Sequence, residues 1–140
     1  MKKTKKERKI RCILVRPHQL PEELHIANTI SSIEKQIGGS FTLMDIPELG
    51  NGIAVIIRKE ADIFSPEKNR PLFDHDGRPY GCICGDFIVA GLSDGLFRSL
   101  SESEYVRVKR NYEQPYKIVI EKNNNNFVAC IPEQPAGNEA

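Results

Sequence analysis

From Lys9 to Val15 a period of two puts Ile10, Cys12 and Leu14 on one side and Arg11, Ile13 and Val15 on the other, with both sides largely apolar. A period of two predicts a β-strand. A connection bracketed by Pro17 and Pro21 leads to a second predicted strand, Glu23 to Ala27, which closes an open hairpin on the first. The period then changes. Ile30, Ile33 and Ile37 fall at i, i+3 and i+7, the stripe of an amphipathic helix. Asn28 or Thr29 caps its start, and Gly38-Gly39 ends it, because glycine takes the left-handed terminal conformation at no steric cost.

Ser40 to Asp45 and Ile53 to Arg58 are the next predicted strands, separated by the turn cluster Pro47 to Gly52. The run Ile-Ala-Val-Ile-Ile-Arg is apolar enough to be central and covered on both faces. Lys59 to Tyr80 reads as a long irregular connection, with Asp76-Gly77 as a turn dipeptide. Cys82 to Ala90 is the most strand-like segment, followed by a turn at Gly91 to Gly95 and a short strand from Leu96 to Ser99. Ser101 and Glu104 form a capping box that opens a second helix, with Tyr105, Val108 and Tyr112 as its stripe and Pro115 as its stop. Tyr116 to Lys122 and Phe127 to Ile131 are joined by four asparagines as a closing hairpin.

Two of the strand-to-strand connections are too short for parallel crossovers. The predicted fold is therefore α+β: a mainly antiparallel sheet of about six to eight short strands with two short helices on one face. One domain is expected over residues 9–131, preceded by a flexible basic arm at 1–8 and followed by a disordered polar tail at 132–140.

Charge adds an asymmetry. Residues 1–16 hold eight Lys or Arg and one Glu, whereas the whole chain of 140 residues has a net charge of only +1. A basic arm thus precedes a mildly acidic body. Such an arm is one route to nucleic acid, but Met1 to Arg8 has no aromatic residue and no Gly-Arg pattern to add base contacts, so nucleic acid is not the favoured partner. No apolar run is long enough for a membrane span, and no apolar segment follows the first lysines as in a secretory signal. The expectation is a cytoplasmic chain with reduced cysteines.

The candidate chemistry is sparse. Cys82 and Cys84 lie two apart on a strand and share a face, but one intervening residue is too few for a zinc knuckle. They read as core thiols. Asp74-His75-Asp76, with His18 and His25, offers carboxylate and imidazole groups, yet adjacent turn positions diverge. Ser99 and Ser101 have no base partner in the sequence, and Gly91-x-x-x-Gly95 lacks the ending of a phosphate loop. The chain is expected to be no enzyme and to need no metal or cofactor. The strongest binding groups are Asn69, Arg70, Phe73, Arg78, Phe97 and Arg98, with Arg107 and Arg110 on the second helix. Arginine forks grip phosphate and aromatic rings stack bases, so convergence of this set would make a nucleotide pocket. The competing expectation for Asn69-Arg70 is a turn in which the arginine braces backbone carbonyls.

The segments Ile37-Gly38-Gly39-Ser40-Phe41, Asn69-Arg70-Pro71-Leu72, Asp76-Gly77-Arg78-Pro79-Tyr80 through Gly91, and Phe97-Arg98-Ser99-Leu100-Ser101 together resemble a small family of proteins carrying a domain of unknown function. That family is common in bacteriophages, prophages and conjugative elements. The likeness covers residues 9–112; the closing hairpin at 116–131 lies beyond it. The resemblance implies a mobile-element protein in the cytoplasm of a bacterial host, and supplies no catalytic residues. Small accessory proteins of phages often counter host defence. The leading expectation is sequestration of a nucleotide or cyclic-nucleotide signal. The alternative is a protein–protein inhibitor of a host enzyme or defence complex, acting through the acidic body and the edge strands of the closing hairpin at 116–131. Edge strands also make a homo-oligomer an open expectation.

Overall fold

A computed structural model of the chain describes residues 8–59, 67–121 and 127–136. The basic arm up to residue 7, part of the long connection, the asparagine turn and the last four residues lie outside the described residues.

The main sheet is built from β1 (Lys9–Val15), β2 (Glu22–Ala27), β3 (Phe41–Met44), β4 (Ile53–Arg58), β7 (Phe87–Ser93) and β8 (Leu96–Arg98). Its order is β2-β1-β7-β4-β3, with β8 paired to the far end of β7, and every pairing is antiparallel. The apolar β4 is internal, as its composition requires. Two hairpins stand off the sheet: β5 (Lys68–Phe73) with β6 (Pro79–Cys84), and β9 (Tyr116–Glu121) with β10 (Phe127–Pro132). The α+β class and the antiparallel sheet are as the pattern predicts.

The helices are α1 (Ile30–Ile37) and α2 (Glu102–Tyr112). Thr29 is the cap of α1: its side chain accepts from Ser32 N, and Gly38 closes the helix at φ 88°. Ser101 and Glu104 complete the expected capping box on α2.

The two helices do not share a face. Strand alternation sorts the interior into two clusters. Ile10, Cys12, Leu14, Ala54, Ile56, Ile88 and Ala90 meet Ile33 and Ile37 of α1 on one side. Ile13, Val15, Val55, Phe87 and Val89 meet Val108 and Tyr112 of α2 on the other. The central strands are apolar at consecutive positions, so both sides need cover, and one helix serves each. The α2 side also carries the β5–β6 hairpin, which contributes Ile83 and half-buried Leu72, with the β9–β10 hairpin packed against it in turn. Ile30 departs from its expected stripe. It is the first residue of α1 and stays 66% exposed.

The predicted long connection also needs correction. Its middle, Lys68–Phe73, is the strand β5, its last two residues open β6, and the expected strand Cys82 to Ala90 is two strands in different sheets. The break is at Gly85, φ 75°, whose N–H donates to Glu67 O. Strand β5 escapes a polarity-based reading because its buried residues are Asn69, Arg70 and Pro71. Buried polar groups persist where hydrogen bonds satisfy them. The tail expected to be disordered from 132 is held at least to Ala136. Glu133 N donates to Pro115 O, and Ala136 N donates to His18 O at 2.5 Å.

Candidate functional site

Asn69 and Arg70 are the anchor of the α2 side rather than an exposed recognition pair. Asn69 is fully buried. Its Nδ2 donates to Val15 O at 2.9 Å and to Gly85 O at 2.8 Å. Arg70 is 2% exposed. Its Nε donates to Tyr112 O, Nη1 to Asn69 Oδ1 and Arg16 O, and Nη2 to Gln19 O. One guanidinium thus ties the end of α2, the β1–β2 connection and β5 together. Burial pushes its pKa down to about 10, so it stays a cation at neutral pH. The arginine braces backbone carbonyls as the competing expectation had it, but from within strand β5 and not from a turn.

Arg98 is committed elsewhere. It forks onto Glu104, with Nη1 to Oε1 at 2.8 Å and Nη2 to Oε2 at 3.0 Å, and also donates to Ser93 Oγ, Ser99 O and Gly52 O. The guanidinium beside it holds the Glu104 carboxyl down at about 2. The fork lies flat across Gly91, where a Cβ would stand 2.3 Å from Arg98 Nη1. Phe97 faces the opposite side of the sheet, pairing with Phe41 at 6.1 Å between ring centroids. Arg107 donates to Leu49 O. Arg78 and Arg110 are exposed, with no side-chain hydrogen bond among the described residues. The arginines and rings singled out in the sequence therefore do not converge on one place: Arg107 and Arg110 share a hollow along α2, Arg70 and Phe73 line another, and Arg98 and Phe97 lie apart from both. They occupy both faces of the sheet, and the best placed of them are spent internally.

The remaining candidate chemistry separates likewise. Asp74 Oδ1 accepts from Asp76 N and Arg78 N, and Gly77 sits at φ 79°, so this stretch makes the β5–β6 turn. His75 pairs with Asp76 on that turn, His25 with Glu23 on β2, and His18 with Glu67 and Glu133. Among the described residues no group of three or more His, Cys, Asp or Glu is placed to hold a metal. Cys82 and Cys84 place their sulfurs 3.8 Å apart on one face of β6; Cys84 is buried and Cys82 half-buried. Burial pushes the Cys12 thiol up to about 12. These are poor nucleophiles. Ser99 Oγ accepts from Arg11 N, and Ser101 caps α2.

Three features stand outside that list. Strand β3 ends the main sheet, hydrogen-bonded only to β4 among the described residues. It leaves Leu43 45% exposed. Beside it, Ile30, Ile33, Phe41, Leu96 and Phe97 line a hollow of about 270 Å³ between α1 and β8. A second cavity, of about 140 Å³, opens just past β3 on the α2 side. Its walls are Asp45 to Glu48, Phe73 and Tyr80 of the β5–β6 hairpin, and Tyr112 and Tyr116. Of the expected site residues, Arg70 and Phe73 line this cavity; Arg98 does not. The sequence carries a signal for the rest in apolar Leu43 at the rim of a predicted strand and in two carboxylates flanking Pro47, whereas Ile30 reads there as part of the buried stripe.

The family model for a domain of unknown function, DUF3846, matches residues 10–113. The chain belongs to this family. The DUF3846 match ends at the close of α2, so the β9–β10 hairpin, with Tyr116, is an addition to the matched core. No curated protein and no solved structure matches the chain. Among the described residues no helix is long and apolar enough to cross a membrane.

Proposed function

We propose that this DUF3846 protein is a non-enzymatic binding protein that engages a protein partner through the open β3 edge and the apolar hollow beside it. The observation that carries the reading is the edge itself. Strand β3 offers unpaired backbone groups on its outer side among the described residues, next to exposed Leu43 and Ile30. An extended segment of a partner adds to such an edge by main-chain hydrogen bonds, and neighbouring pockets select its side chains. Arg70, Arg98 and Phe97 lie apart and are used within the fold, which supports this reading over nucleotide capture. The resemblance to phage-borne and conjugative-element proteins makes a host protein in the bacterial cytoplasm the natural partner, and inhibition of a host enzyme or defence complex the natural outcome.

The test is co-purification from host cells with wild-type protein and Leu43→Lys, quantified by mass spectrometry. A charged residue on an edge blocks strand addition. The expected result is a partner held by the wild type and depleted about tenfold by the variant. Equal recovery overturns the reading. So does a nucleotide panel that raises the melting temperature of the wild type, because that returns the function to nucleotide capture.

A further inference from the structure

The cavity past β3 has an unusual lining. Phe73, Tyr80, Tyr112 and Tyr116 supply aromatic surface, and Asp45 and Glu48 supply carboxylates. Neither carboxylate has an ion-pair or hydrogen-bond partner among the described residues. The one cation in the lining, Arg70, is nearly fully buried, and three of its acceptors lie on Arg16, Gln19 and Asn69, outside the lining. Its N–H groups are thus spent on the wall behind the cavity. Arg107, on Leu49 O, is not part of the lining. Phe73 and Tyr116 meet edge to face at 6.2 Å, and Tyr80 stands 57% exposed at the mouth.

Ring faces carry negative charge density, and carboxylates beside them deepen it. The volume suits one small organic cation and is far too small for a nucleotide. We propose that this cavity is a binding slot for a cationic head group, an alkylammonium or guanidinium, presented by a basic side chain of the partner. The proposal deepens the reading above, since Asp45 follows directly on β3 and a segment lying along that edge runs towards the slot. The slot itself belongs to this chain and binds small cations without any partner. Tyr116 comes from beyond the DUF3846 match, so the added hairpin completes the slot.

The experiment is an NMR titration of the full chain, following the Tyr and Phe ring signals. The probes are tetramethylammonium, n-butylammonium and guanidinium chlorides, set against sodium acetate and sodium phosphate at equal ionic strength. The expected result is saturable shifts of Tyr80, Phe73 and Tyr116 with at least one cation, and none with the anions. Affinity should fall by roughly threefold to tenfold in both Tyr80→Ala and Glu48→Gln, two exposed positions whose substitution leaves the core intact. The preferred cation separates an ammonium-bearing from a guanidinium-bearing partner residue. Rings that fail to saturate with any cation, or that respond to phosphate instead, overturn the proposal. So does unchanged affinity in both variants. Leu43→Lys separates the two readings: it should lose the partner and keep small-cation binding.

Discussion

At the scale of single residues, Arg70 shows how a buried charge is kept. Its four acceptors are three backbone carbonyls and one amide oxygen, with no carboxylate among them. Removing the side chain takes a donor from Tyr112 O and Gln19 O and leaves buried Asn69 Oδ1 without this partner, while Arg16 O keeps Gln19 N; a buried group left unpaired costs more than the bond itself contributes. Arg70→Ala should destabilise the fold by about 3–5 kcal/mol, read as a lowered urea midpoint. Arg78→Ala should move it by less than about 0.5 kcal/mol, because Arg78 is exposed on a turn. Comparable effects from the two arginines would contradict the anchoring role. The sequence made Asn69-Arg70 conspicuous but left its use open. Whether an arginine faces solvent or carbonyls depends on which strands meet around it, and those meetings link positions 42 and 54 residues away.

At the scale of elements, the start of α2 is a small electrostatic device. The Arg98 fork holds Glu104, and Glu104 in turn accepts from Ser101 N. The Glu104 carboxyl sits at about 2 in the folded chain against an ordinary 4.5. A depressed carboxyl pKa contributes stability that is fully present above the unfolded value and drains as the pH falls through the folded one. Glu104→Gln should therefore flatten the loss of melting temperature between pH of about 4.5 and 2. An unchanged acid limb would refute the assignment. Gly91→Ala should disturb the same fork, since the added methyl meets the guanidinium.

The opposite sign applies at the C-terminal tail. Glu133 and Glu67 raise the pKa of His18, whose backbone carbonyl holds Ala136 N. A raised imidazole pKa contributes stability below the unfolded value, lost as the pH rises through the folded one. The Ala136 amide should lose hydrogen-exchange protection over that rise, and His18→Ala should remove the dependence. Protection independent of pH in the wild type would contradict it. The helices and their caps were legible because capping chemistry is local. Strand β5 was not, because its buried face is polar and its partner β6 lies across a turn that reads as loop.

At the scale of the whole molecule, the two-faced sheet decides what is left for function. Runs such as Ile53 to Ile57 and Phe87 to Ala90 announced central strands, yet which helix covers which face follows from register, and period alone does not carry it. Covering both faces consumes the apolar sides of α1 and α2. Open features among the described residues include the other sheet end at β2, a hollow of about 820 Å³ along α2, and the β3 edge, flanked by an apolar hollow on one side and an acidic, aromatic slot on the other. That arrangement suits an extended, basic segment of another protein better than a phosphate. The most direct measurement is the dissociation constant of the captured partner for the wild type and for Leu43→Lys, side by side. A weakening of about tenfold or more, with the fold intact, is the result this account predicts; equal affinities would contradict it.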